Sequence, residues 1–198
     1  MKVKLISFLP LAAIQTIYSQ LSWRQLLPHL SYTFAIEKIS RACSHQLVRH
    51  RVASFSQQSQ RYITIKKLRE RVVTPPSIEE HNGEEFNDLI SRASDVYQKL
   101  VEKGVPKEDA RFVLPNAAET SLLMTMNGKS LFHFFGLRCC NRAQWEIRSL
   151  ADKMLDEART LEPELFKHAG PYCYQMGYCP EGRFTCGSMR ETIEKYSP

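Results

Sequence analysis

The stretch from Ser40 to Tyr62 (S-R-A-C-S-H-Q-L-V-R-H-R-V-A-S-F-S-Q-Q-S-Q-R-Y) constrains this chain more than any other. It crowds arginine, histidine, glutamine and serine between segments that carry apolar periodicity. A segment this polar is poor core material, and its varied composition is not that of a low-complexity tract. Arg49, His50 and Arg51 are consecutive, and Ser54, Gln57, Ser59 and Arg61 follow at short intervals. Guanidinium groups offer a rigid fork of donors to phosphate, while Gln and Ser add directional hydrogen bonds. The stretch suits a phosphorylated, planar ligand, with the rest of the chain as scaffold.

With 198 residues, 43% hydrophobic and 24% charged, the chain has enough apolar material for one good core. The net charge of +6 and pI near 9.0 favour anionic ligands but do not separate a nucleotide from a nucleic acid or an acidic membrane. Met1 to Ala13 has an apolar run that Lys4 and Pro10 interrupt, which argues against a secretory signal. No stretch approaches the roughly twenty apolar residues of a membrane span. A cytoplasmic location is therefore expected, with Cys43, Cys139, Cys140, Cys173, Cys179 and Cys186 as reduced thiols, since their spacing is not that of a disulfide scaffold.

Lys2 to Phe8 alternates polar and apolar residues and predicts a strand. The apolar positions between Leu11 and Leu27 predict one amphipathic helix, Ser31 to Ile36 a strand, and Ile39 to Val48 a helix with Ile39, Ala42, Cys43 and Leu47 on one face. Val52 to Tyr62 reads as extended or irregular, leading into a short strand near Tyr62 to Ile65. Pro75-Pro76 places a loop over Val72 to Glu80. A long helix through Lys103 follows, with Leu89, Ile90, Ala93, Val96, Tyr97 and Leu100 inward and Gly104 closing it. After a short turn at Pro106 to Arg111, Glu119 to Met126 predicts a strand, and Asn127 caps a helix running to Arg138. Ala143 to Leu161 predicts a second long helix, and the Gly-, Cys- and Tyr-rich tail from Gly170 an irregular one.

Arg49-His50-Arg51, seven further residues and then Ser59 with Arg61-Tyr62 resembles the signature of the flavin-dependent thymidylate synthases. The blocks I-S-R-A-C-S-H-Q-L-V (39 to 48), A-R-F-V-L-P (110 to 115), N-G-K-S-L (127 to 131) and L-R-C-C-N-R-A-Q-W-E-I-R (137 to 148) resemble that family's other blocks in order and spacing, so the likeness covers roughly residues 29 to 166. It implies an α+β fold: one domain over residues 1–169, with a central, mostly antiparallel sheet flanked by long helices, and a Cys-rich tail over 170–198. No Gly-rich dinucleotide fingerprint is present, so a Rossmann fold is not expected.

The same resemblance implies reductive methylation of dUMP to dTMP, with FAD as cofactor, NADPH as reductant and methylenetetrahydrofolate as one-carbon donor. It implies a homotetramer whose active sites are shared between subunits, and it needs no cysteine nucleophile. The dUMP positions implied are Gln46, Arg49, Gln57, Ser59, Gln60, Arg61, Arg111 and Arg138, with Arg111 acting from a neighbouring subunit. Arg138 is implied as the catalytic group, stabilising the uracil ionised at N3, because a fixed guanidinium favours an anion in a dry site. The FAD positions implied are Arg49, His50, Arg51, Gln57, Asn127, Lys129, His133, Leu137, Arg138 and Arg142, with Asn127 and Lys129 opening a helix whose free N–H groups favour a pyrophosphate.

The N-terminal part departs from the family pattern. Where a His-x-Ser…Glu-His block that touches flavin is expected, this chain has Trp23, Gln25 and Pro28 before His29. A non-catalytic nucleotide- or flavin-binding homologue is thus the alternative to the enzyme. A nucleic-acid-binding module is a third reading, disfavoured because the basic residues cluster in one signature instead of a long stripe with stacking aromatics. No metal is required, although His168, Cys173, Cys179 and Cys186 are weak candidate ligands, spaced more widely than a tight Cys-x2-Cys knuckle.

Overall fold

The computed structural model describes residues 1–62 and 67–197. Strand β1 (Lys2–Phe8) leads to α1 (Leu11–Gln15), α2 (Trp23–Leu26), β2 (Ser31–Ser40), α3 (Arg41–Leu47) and β3 (Ala53–Gln57). Then come α4 (Pro76–Glu102), α5 (Lys107–Ala110), β4 (Glu119–Asn127), α6 (Gly128–Arg138), α7 (Trp145–Leu161), α8 (Pro163–Phe166), α9 (Tyr172–Met176) and α10 (Met189–Tyr196). The strands form one antiparallel sheet in the order β1-β2-β4-β3, which gives the α+β class expected and no Rossmann topology. No helix among the described residues is long and apolar enough to cross a membrane.

Contacts gather the chain into two compact units, each assembled from separated segments. The first comprises residues 1–36, 46–55 and 123–198. Its core stacks Tyr32, Phe34, Phe134, Phe135 and Phe166, all essentially without solvent exposure. Phe166 receives the edge of Tyr32 at 5.2 Å and that of Phe135 at 6.2 Å, the geometry that ring quadrupoles prefer. The Tyr32 hydroxyl donates to Glu162 Oε2 at 2.6 Å, and burial followed by that carboxylate pushes its pKa upward, so the phenol stays protonated. The second unit comprises 37–45 and 56–122, with Leu68, Ile90 and Ala118 packed against Val72, Phe86, Ala93 and Leu114.

Several elements differ from the sequence expectation. The helix expected over Leu11 to Leu27 is broken: Ser22 and Gln25 form a capping box that starts α2 anew, with Gln25 Oε1 accepting the Ser22 N–H at 2.9 Å. Ile17 and Tyr18, counted toward the apolar face, are 71% and 49% exposed. The helix expected from Ile39 begins at Arg41, because β2 runs on to Ser40; Cys43 and Leu47 are buried as expected, but Ala42 is exposed. Val52 to Tyr62 contains β3, whereas the strand expected near Tyr62 to Ile65 falls largely outside the described residues. The loop over Val72 to Glu80 ends at Pro75, since Pro76 takes the first helical position, where a missing N–H costs nothing. Helix α4 buries Ile90 and Tyr97, but Leu89 and Val96 face outward at 61% and 46% exposure. Gly104 closes it at φ 82, a left-handed conformation open to glycine.

The tail is not irregular. It forms α9 and α10, and Arg159 holds its far end: one Nη donates to the carbonyls of Ala169 at 3.0 Å and Tyr196 at 2.8 Å. The Tyr196 hydroxyl donates to Asp152 at 2.5 Å, also lying 3.1 Å from the Cys139 carbonyl.

Candidate functional site

In the first unit, α3 ends at Leu47 and the chain turns sharply, with the His50 N–H donating to the Leu47 carbonyl at 3.1 Å. That turn presents Arg49, His50 and Arg51 to one face of α6. Together with Ser130, Leu137 and Arg138 they line a cleft of about 360 Å³. Arg138 Nε donates to His50 Nε2 at 2.9 Å, and the His50 ring meets Phe134 edge-to-face at 5.0 Å. Burial, then the Arg138 charge and His133, pull the His50 pKa down to about 4. His50 is therefore a neutral acceptor that aims a permanently charged guanidinium. This brings the Arg-His-Arg signature and the candidate catalytic arginine together as expected.

Helix α6 also carries the polar residues of a larger cleft. Asn127 caps it, its side-chain oxygen accepting the Ser130 N–H at 2.8 Å, as the sequence predicts. The Gly128 N–H, however, donates to the Leu30 carbonyl at 3.0 Å. Two of the N–H groups expected to receive a pyrophosphate are thus already engaged, which leaves Lys129 as the stronger attraction. Lys129 and His133, one turn apart, line a cleft of about 720 Å³ with Trp23, Gln25, Pro28 and Tyr172. Trp23 stacks on His168 at 5.0 Å with the rings 5° from parallel, and the Tyr172 hydroxyl hydrogen-bonds His133 Nδ1. The residues that depart from the family pattern therefore line the same cleft as two expected FAD positions. Tyr172 carries no motif that would have singled it out. It lies flat on Gly136, where a Cβ would come within 2.6 Å of its ring.

The second unit holds Gln57, Ser59, Gln60, Arg61 and Arg111. Gln57 Nε2 donates to Thr120 Oγ1 at 3.2 Å, and Ser59 Oγ accepts the Arg61 N–H at 3.2 Å. Arg61 forks onto Glu108 with contacts of 2.6 and 2.9 Å, so that carboxylate serves Arg61, while Arg111 Nε takes only the Glu108 backbone carbonyl at 3.1 Å. Burial, then the Arg111 charge, lowers the pKa of Arg41. Two guanidiniums close enough to repel favour an anion between them. Arg41 was not singled out from the sequence, where its place after Ser40 gives no distinguishing spacing. Gln60 Nε2 is buried and has no hydrogen-bond partner among the described residues, an unmet donor that native structures rarely tolerate without a ligand or water.

Two sequence candidates lie elsewhere. Arg142 borders neither cleft; it lines a small cavity with Cys140, Cys173, Cys179 and Cys186. His168 is committed to Trp23 and lines the larger cleft, apart from the tail cysteines. Cys43 and Cys139 are fully buried, and burial with the nearby Asp152 pushes the Cys139 thiol well up. Neither has the exposed, electropositive surroundings of a nucleophile.

The family description "Thymidylate synthase complementing protein" matches residues 8–164. A flavin-dependent thymidylate synthase of Geobacter sulfurreducens is 54% identical over 173 residues, 86% of this chain and 74% of that protein. One from Sulfolobus acidocaldarius is 52% identical over 148 residues, 75% of this chain and 57% of that protein, so the chain spans a little over half of that relative. Among solved structures, thymidylate synthase X from Helicobacter pylori, crystallised with FAD and dUMP, superimposes with a TM-score of 0.68 at 25% identity, covering 85% of this chain and all of that one. With the family match spanning most of its length and relatives more than half identical to it, the chain belongs to the thymidylate synthase complementing protein family.

Proposed function

We propose that this protein is a flavin-dependent thymidylate synthase that methylates dUMP to dTMP with FAD, taking the one-carbon unit from methylenetetrahydrofolate and electrons from NADPH. The observation that carries this reading is the Arg138–His50 hydrogen bond of 2.9 Å in the cleft lined by Arg49 and Arg51. A guanidinium fixed by a neutral acceptor stabilises an anion without reorganising, which is what a uracil ring ionised at N3 requires. Arg61 supplies charge for a dianionic phosphate, joined by Arg111 of a neighbouring subunit, and Gln60 supplies an unmet amide donor for a polar ring or sugar edge.

The larger cleft has the chemistry of the cofactor: flat aromatic walls in Trp23 and Tyr172 for a ring system, and Lys129 for a pyrophosphate. Bound there, FAD supplies hydride transfer, and the protein's task is to orient the rings and exclude water. His133 lines both clefts, so its ring is placed to keep the cofactor side and the Arg138 side in register. Leu89 and Val96, two turns apart on the outer face of α4, give the second unit an exposed apolar strip suited to the homotetramer.

The test is NADPH oxidation by the purified protein with FAD, dUMP and methylenetetrahydrofolate, followed by chromatography for dTMP. Appearance of dTMP only when all four components are present is the expected result. Protein that shows no flavin absorbance after incubation with FAD and forms no dTMP would instead make it a non-catalytic homologue.

A further inference from the structure

We propose that Cys140, Cys173, Cys179 and Cys186 form a four-thiolate site for a single thiophilic divalent ion of the zinc class, which fastens the tail to the end of α6. The four side chains come from three places in the chain: the residues just after α6, helix α9, and the loop before α10. All four line one small cavity of about 20 Å³. That volume suits one ion or water and is far too small for an iron–sulfur cluster.

The tail gives an independent reason to expect a fastener. No residue from Tyr172 to Glu191 is buried, and Met176, Tyr178 and Phe184 are each about half exposed or more. The segment nonetheless follows a defined path of short helical turns. Hydrophobic burial does not supply that order, and small elements without a core are commonly held by a metal. Gly177, Gly182 and Gly187 all adopt positive φ, at 77, 52 and 79°. Gly177 precedes Cys179 by two residues and Gly187 follows Cys186 directly, so left-handed turns swing both thiols back toward Cys140 and Cys173.

The local electrostatics agree. Asn141 directs its amide N–H toward Cys186 Sγ at 4.0 Å, and Arg142 lines the cavity as a counter-charge for an anionic cluster. No three His, Cys, Asp or Glu side chains among the described residues stand at finished coordination spacing. The ion therefore has to draw the thiols inward, which rotation of the exposed Cys186 side chain and its partly exposed partners permits. Four soft sulfur ligands and no carboxylate select a tetrahedral thiophilic ion over magnesium or calcium.

The test is elemental analysis of the purified full-length protein, with about one zinc per chain expected to survive dialysis. Each of Cys140→Ser, Cys173→Ser, Cys179→Ser and Cys186→Ser should lose it, and Cys43→Ser should retain it. If those variants do not fold, cobalt titration of the reduced, metal-free wild-type protein answers the question. Sulfur-to-cobalt charge-transfer absorption with intense tetrahedral d–d bands is then expected. Wild-type protein that carries no metal and takes up no cobalt, mass evidence for two tail disulfides, or zinc retained in a Cys173→Ser/Cys186→Ser double variant would each overturn the proposal.

Discussion

Arg138 and His50 are worth more as a pair than either is alone. The guanidinium stays charged at any working pH, and His50 aims it only while neutral. Arg138→Ala should therefore reduce dTMP formation by about 10²–10³-fold, the usual loss when one fixed electrostatic donor is removed, with little change in the far-UV spectrum. Unchanged turnover in that variant would exclude the assigned role. The depressed pKa of His50 has a second effect. Below about 6.5 the unfolded chain protonates this imidazole, while the folded one resists until about 4, so stability falls as pH drops through that window. In His50→Asn, the urea midpoint should lose less between those two pH values than it does in the wild-type protein.

Helices differ in how legible they are from sequence. Helix α6 was legible to its ends, because Asn127 is a strong cap and Arg138 closes an apolar run. The break between α1 and α2 was not, since apolar spacing continues through it and only the Ser22–Gln25 pair marks the restart. Spacing also cannot say which apolar residues find a partner, and so it points Leu89 and Val96 inward while the structure turns them out. For the site, consecutive motifs were legible: Arg49 to Arg51 reach the same cleft as Arg138. Arg142 lies apart from that cleft, because four residues past Arg138 the helix has ended and the chain has turned to another cavity. Arg41 and Tyr172 act through distant segments that no local pattern identifies. Close packing at the start of α6 yields a further expectation. A Cβ on Gly128 would sit 2.7 Å from the Leu27 carbonyl oxygen, which is backbone and cannot swing aside. Gly128→Ala should destabilise the protein by about 1–3 kcal/mol in urea unfolding.

Considered whole, the chain divides its proposed task between two compact units, one carrying Arg49, His50 and Arg138 and the other Gln60, Arg61 and Arg111. If the exposed strip on α4 is an intersubunit surface, light scattering should give four times the chain mass, and Val96→Glu should shift the protein toward smaller species. A wild-type protein that runs as a monomer at micromolar concentration would count against the tetramer.

The cap at the head of α6 has a consequence for how the protein ages. Asn-Gly pairs deamidate when the glycine nitrogen attacks the asparagine side-chain carbon to close a succinimide ring, and this chain has two such pairs, Asn82-Gly83 and Asn127-Gly128. At the second, the side-chain oxygen is held by the Ser130 N–H and the Gly128 nitrogen is committed to the Leu30 carbonyl, so ring closure is blocked while the fold persists. At the first, Asn82 donates its side-chain amide to Glu85 but stays exposed, with non-helical backbone (φ −160°, ψ 47°) where α4 is interrupted, and nothing lies within 4 Å of where a Gly83 side chain would begin. Peptide mapping of stored protein should find aspartate and isoaspartate accumulating at Asn82 and Asn127 intact. Loss of that contrast on denaturation would show that the folded cap, not the dipeptide, sets the chemical lifetime of this end of the site.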